Sequence, residues 1–271
     1  MRRVVAGLPV RAVRAARSPW WVETLVIVWL CWVYDAITNL APLRLHAALS
    51  HGAGVLALER SLGVDPELTL DRWLASHHTL ALAASDYYDN AHFIVTLGLL
   101  GWLWWRRADI YRPLRNTLVA VNVIGFAVFW LYPVAPPRML GQDGFSDVVA
   151  STHAFGSWHT GALASAANQL AAMPSLHMAW AAWCALALWR LSTRAWVRGL
   201  ALLYPCMTTL AVLATGNHYV LDVLAGLATL AAAMLIQAAV PRKMREARVP
   251  HVTNLLRSLR PGRLGEPPWT V

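Results

Sequence analysis

The sequence predicts an all-α, polytopic membrane protein: a bundle of six transmembrane helices with interfacial helices between the first two spans. Three observations predict it. Of the 271 residues, 58% are hydrophobic and only 14% charged, whereas soluble domains carry about 25% charged residues. Apolar stretches that meet or approach the roughly 20 residues needed to cross a bilayer recur six times. The basic residues, finally, gather in alternate connections between those stretches, as the positive-inside rule demands.

The six stretches cover residues 21–40, 86–105, 114–132, 175–191, 196–215 and 218–240. Polar residues crowd the starts of the second and fourth. Pro205 should kink the fifth, and the small residues Ala225, Gly226, Ala228 and 231–233 suit close packing of the sixth. Between the first two spans, Leu56, Leu58 and Leu62, then Leu68, Leu70, Trp73 and Leu74, recur at helical spacing, with Asp65 and Pro66 as N-cap and first helical position. They predict one or two helices lying in the membrane interface. The 133–174 connection is rich in Gly, Pro, Ser and His and too long for a bare linker, which suggests a loop that covers or forms a site.

The chain therefore divides into a basic N-terminus (1–20), a membrane domain (21–240) and a basic tail (241–271). The N-terminus carries Arg2, Arg3, Arg11, Arg14 and Arg17, the 106–115 turn four Arg, the 190–198 turn three, and the tail seven basic residues. These 19 of the 23 basic residues lie on one side, leaving Arg44, Arg60, Arg72 and Arg138 opposite. Both termini are expected in the cytoplasm and the 41–85 and 133–174 connections outside it, with the plasma membrane as the expected location. The net charge of +9 is thus a record of topology, and no nucleic-acid partner is expected. Cys31, Cys184 and Cys206 lie in apolar stretches without metal or disulfide spacing and are expected to be buried packing residues. The tryptophans near span ends, such as Trp20, Trp21, Trp102, Trp104 and Trp105, read as an interfacial belt.

Three patterns carry chemistry, all at the non-cytoplasmic ends of helices. In Thr215-Gly216-Asn217-His218-Tyr219-Val220-Leu221-Asp222, the i, i+4 spacing places His218 and Asp222 on one helix face. The carboxylate can then accept the Nδ1 hydrogen bond and leave Nε2 free as nucleophile or base. Alone, the same pair also fits a buried imidazole satisfied by a neighbouring acid. In Met173-Pro174-Ser175-Leu176-His177, Pro174 can open a helix whose first turn, holding Ser175 and His177, offers free N–H groups to an anion; an ordinary cap fits too. In Tyr132-Pro133-Val134-Ala135-Pro136-Pro137-Arg138, a stiff turn would fix a guanidinium suited to phosphate, though an Arg snorkelling to headgroups has the same sequence.

Taken together and in this order, the three motifs resemble the type 2 phosphatidic acid phosphatase superfamily, most closely its inositolphosphotransferase branch, which includes inositol phosphorylceramide synthases. The resemblance covers residues 114–240, and the first two spans only loosely. It implies a lipid phosphatase or phosphotransferase that needs no metal or cofactor and works through a phosphohistidine. His218 would be the nucleophile, Asp222 its partner and His177 the proton donor; Arg138, Ser175 and Asn217 would hold the substrate phosphate. The implied substrate is a phospholipid or polyprenyl phosphate in the membrane. The alternatives are a phosphatidic acid or polyprenyl (pyro)phosphate phosphatase, and a lipid binder or transporter without chemistry. Val212 stands where the phosphatase branch has an Arg, six residues before the nucleophile, which favours the transferase branch. Arg112-Pro113, near in pattern to another phosphatase motif, falls on the cytoplasmic side and is set aside. Asp35, Asn39, Asp86, Asp89 and His92 are lesser candidates, to line the pocket or to cap and cross-link helices. His77, His78, His153 and His159 read as solvated loop residues.

Overall fold

The computed structural model describes residues 17–40, 44–152 and 170–239, which contain nine α-helices and no strand. In chain order they are α1 (Trp20–Leu40), α2 (Leu45–Leu62), α3 (Glu67–Ala75), α4 (His78–Arg106), α5 (Ala108–Leu131), α6 (Val148–Thr152), α7 (Leu176–Leu191), α8 (Ala195–Ala214) and α9 (Val220–Ala239). Four of them, α1, α5, α8 and α9, are long and apolar enough to cross a membrane. The six-span expectation rests on two more. α4 has 29 residues but is interrupted by Tyr87, Tyr88, Asp89, Asn90 and His92, and α7 has only 16. His78, expected in a loop, opens α4, so this helix begins eight residues before the apolar stretch that revealed it.

The centre of the bundle is where α4, α5, α7 and α9 meet. Leu103, Tyr111, Leu114, Leu118, Val121, Ala179, Trp183, Cys184, Ala187, Leu230 and Ala233 form its buried cluster. Trp183 is fully buried and its indole N–H donates to the Leu114 carbonyl at 2.9 Å, which gives the one polar atom of this large ring a partner. α8 runs through Pro205, and α1 leans on α5, where Glu23 meets Arg115 at 3.6 Å. The outward faces stay apolar: Leu131, Ile94, Leu235 and Trp20 are all about 70% exposed. Such faces are unfavourable in water and suit lipid. Cys31 and Cys206 lie on these faces and only Cys184 is buried, correcting the expectation for two of the three. In a membrane helix, apolar neighbours mark lipid-facing and inward positions alike.

The two helices between the first two spans sit against the bundle with an unexpected polarity. In α3 the buried residues are Glu67, Asp71 and Leu74, at i, i+4 and i+7, while Trp73 is half exposed. The apolar periodicity of this region marks the inner face only in part: Leu56 and Leu74 are buried, but Leu58 and Leu62 of α2 point outward, and the inner face of α2 is Ala48, Gly52, Val55, Leu56 and Glu59. Pro66 falls at the N-cap position of α3, one residue earlier than the spacing suggests.

A backbone bridge draws the Pro-rich stretch after α5 to the segment before α7. Val134 N–H donates to the Leu170 carbonyl and Ala172 N–H to the Val134 carbonyl, both at 3.1 Å. Residues 153–169 of the long connection, with His153 and His159, lie outside the described residues. So do the basic N-terminus up to residue 16 and the tail from residue 240.

Candidate active site

The starts of α7 and α9 converge, as their motifs require. Ser175 is the N-cap of α7, its hydroxyl accepting from the Met178 N–H at 3.3 Å, so Pro174 lies just outside the helix instead of opening it. The Ser175 N–H donates to the Asp222 carbonyl at 3.0 Å. Gly226, one turn further along α9, makes the approach possible, because a Cβ there would run into the Ser175 carbonyl.

His218 sits immediately before α9 and is 4% exposed. Its Nδ1 lies 2.8 Å from the Ala172 carbonyl and 3.3 Å from Asp222 Oδ2. A carbonyl only accepts, so Nδ1 carries the proton and Nε2 presents a lone pair. The sequence pattern supplied the carboxylate partner; the shorter bond goes to a main-chain carbonyl that no spacing rule reveals. Asp222, fully buried, also accepts the Tyr219 N–H at 3.0 Å.

His177, in the first turn of α7, faces His218 edge-on with ring centroids 5.6 Å apart. Tyr88 stacks on the His177 ring at 4.5 Å and His92 meets it edge-on at 4.2 Å. Of the lesser candidates, Tyr88's neighbour Asp89 is buried and His92 adjoins the site. Asp86 is half-buried on the same helix and Asp35 is exposed on α1. Asn39 falls in α1, its side chain outside the described residues.

Arg138 reaches the site through the loop that carries His218. The backbone turns at Thr215-Gly216-Asn217, where Gly216 takes φ +63°, a left-handed conformation that suits glycine. The Gly216 carbonyl accepts the Arg138 N–H at 2.8 Å, and Arg138 Nε donates to Asn217 Oδ1 at 2.7 Å. Asn217 is oriented in turn by two bonds from its amide to Thr215. Asp147 Oδ2 takes the guanidinium Nη1 at 3.4 Å. The cation is 9% exposed and held within two residues of His218. Arg112, in contrast, lies near the opposite end of α5, about 30 Å of helix away from the turn that carries Arg138.

Val212 is 1% exposed within an apolar cluster of Met178, Leu213 and Val223, a setting in which an unpaired charge would be costly. Its carbonyl instead accepts the N–H groups of Asn217 and His218 at 3.1 and 3.2 Å.

Four acids around this site belong to none of the three motifs. Asp147 holds Arg138. Asp71 accepts the Ser146 N–H at 2.9 Å, and burial pushes its carboxyl up to about 6. Glu59 and Glu67 accept the amides of Leu221 and Val220 at the start of α9. The available signal was an acid recurring at i, i+4 in α3, among residues read as an apolar face.

Residues 53–236 match the family described as the PAP2 superfamily. That is more than half of the chain, from α2 through most of α9, and the protein belongs to this superfamily, a membership that suggests a lipid phosphatase or phosphotransferase. No curated protein and no solved structure matches the chain.

Proposed function

We propose that the protein transfers a phosphoryl-linked headgroup from a membrane lipid through a phosphohistidine on His218, and that it belongs to the inositolphosphotransferase branch of its superfamily. One observation carries the reading: His218 Nδ1–H is anchored by Ala172 and Asp222 while Nε2 is free beside His177 and a fixed Arg138. The Nε2 lone pair attacks phosphorus in line, the bond to the departing oxygen breaks, and His177 gives that oxygen its proton. The imidazolium so formed keeps its Nδ1–H on the carbonyl and carboxylate. Arg138, with the Ser175 hydroxyl, Asn217 and amides at the helix starts, balances charge on the non-bridging oxygens. An alcohol or water then attacks the phosphohistidine and returns its proton to His177. No step in this scheme uses a metal ion.

Buried Val212 supports the transferase branch, since it leaves the site without the second Arg of the phosphatases. In the membrane, α4 and α7 would be the second and fourth of six spans, α2 and α3 would lie in the outer interface, and both termini would face the cytoplasm.

A screen of purified protein with radiolabelled phospholipids and polyprenyl phosphates, with and without a polyol acceptor, tests the proposal. Acceptor-dependent turnover that His218→Ala abolishes is expected. Full activity of that variant would sink the mechanism, and equal turnover without acceptor would make the protein a phosphatase. Lipid binding without turnover by the wild type would make it a binder.

A further inference from the structure

Three fully buried carboxyls from three elements meet the start of α9. Glu59 of α2 accepts the Leu221 N–H at 2.6 Å, Glu67 of α3 the Val220 N–H at 2.8 Å, and Asp222 the Tyr219 N–H at 3.0 Å. Each of these bonds uses one carboxyl oxygen. The second oxygens, Glu59 Oε2 and Glu67 Oε2, are buried and meet no donor among the described residues, yet the two carboxyls are within hydrogen-bonding reach of each other. Two ionised carboxylates would repel there, out of reach of water.

The surrounding charges do not relieve the conflict. From α9 the pair faces Asp222 and Tyr219, and from the α2–α3 connection Asp65, while Asp143, in the turn after Arg138, acts on Tyr219. Arg60, next to Glu59 in sequence, turns outward to Asp143 and Asp65 at 2.9 and 3.9 Å. Among the described residues no cluster is arranged to hold a metal ion. A proton remains as the partner that fits.

We infer that Glu59 and Glu67 share one proton, and that this protonated pair is a positioning device that fixes the first turn of α9 and with it the nucleophile His218. Glu59 donates and Glu67 accepts. Burial, reinforced by the neighbouring Glu67, pushes the Glu59 carboxyl up to about 8. The raised value means that the folded state keeps a proton which an unfolded Glu loses near its ordinary 4.5. The stabilisation is therefore complete below about pH 4.5 and lost as pH rises through about 8, when a second negative charge enters the pair.

The inference takes the role of His218 from the proposed function, so its test includes a readout that is independent of turnover. Infrared spectra of the full-length protein in detergent should show the carbonyl stretch of a protonated carboxylic acid that disappears as pH passes about 8. Glu59→Gln keeps both bonds, its amide donating to Glu67, and should lack that band. Its alkaline limb of activity should lie at higher pH than that of the wild type, a shift that a purely structural role would not produce. Glu67→Gln removes the shared proton from the other side and serves if the first variant does not fold. An unchanged band and unchanged alkaline limb in a folded variant overturn the inference, as does a wild type with no such band near pH 7. A wild type inactive on every lipid phosphate refutes the proposed function, and the infrared band still decides the pair.

Discussion

The Ser175 N–H donates to the carbonyl of Asp222 at 3.0 Å, a bond between the cap of one helix and the first turn of another. It sets the spacing of α7 and α9, and therefore of His177 and His218, before any substrate arrives. The approach depends on Gly226, whose missing side chain leaves space for the Ser175 carbonyl.

Gly226→Ala should accordingly separate the two helices. Overpacking at such a contact costs about 1–3 kcal/mol, and His177 and His218 would move apart with it. Gly101→Ala is the matched control, since a Cβ there meets nothing within 4 Å. Thermal unfolding in detergent should show a lowered midpoint and lowered turnover for Gly226→Ala and neither for Gly101→Ala; equal stability of the two variants would refute the packing argument.

Arg138 is held as a fork, through Nε on Asn217 and Nη1 on Asp147. Arg138→Lys retains charge without the fork, and kcat/KM should fall about 10²–10³-fold, the usual cost of one lost donor to a developing oxyanion. Asn217→Ala frees the guanidinium to drift and should cost on the order of 10–100-fold. Asp147→Asn removes the carboxylate paired with Arg138, so if Arg138 holds the substrate phosphate, inorganic phosphate should inhibit this variant more tightly than the wild type. Steady-state kinetics with phosphate as inhibitor measure all three.

Asp222 shares its histidine with a carbonyl. Because Ala172 already fixes the Nδ1–H tautomer, Asp222→Asn should lose the electrostatic support of the imidazolium but not the tautomer. A fall of about 10²–10³-fold in the rate of phosphohistidine formation is expected, with the label still trapped on His218 in acid-free quench. A variant as inert as His218→Ala would show that Asp222 alone sets the tautomer.

Asp71 gives the acid side of the stability profile. Burial raises its carboxyl from 3.8 to about 6, so the folded protein retains a proton that the unfolded chain gives up. Its stabilising contribution is full below about pH 3.8 and declines as pH rises through about 6. Asp71→Asn, permanently neutral, should flatten the unfolding midpoint across that window; a slope identical to that of the wild type would exclude Asp71 as its source.

The legible parts of the site were those written within a few residues of each other. His218 and Asp222 share a face because they are four apart, and Ser175 and His177 share a helix start because they are two apart. The bridge from Val134 to Ala171, the Ala172 carbonyl on His218, and the acids of α2 and α3 are contacts across dozens of residues or more, which no local period encodes. Composition erred where lipid changes the meaning of polarity: Cys31 and Cys206 sit in apolar sequence yet face outward, and the Glu67–Asp71 stripe faces inward. The polar interruption of α4 has the same origin. Tyr88 and His92 weaken its hydropathy because they stand against His177.

The amides of Val220 and Leu221 find their acceptors 153 and 162 residues upstream. During synthesis the acids of α2 and α3 emerge long before α9 exists to receive them, and a chain arrested before residue 218 lacks His218 altogether. Docking of the last helix is thus the event that gives those carboxyls their amide donors and brings His218 to the candidate site. Under the proposed function, a chain truncated before α9 should therefore show no phosphoryl transfer.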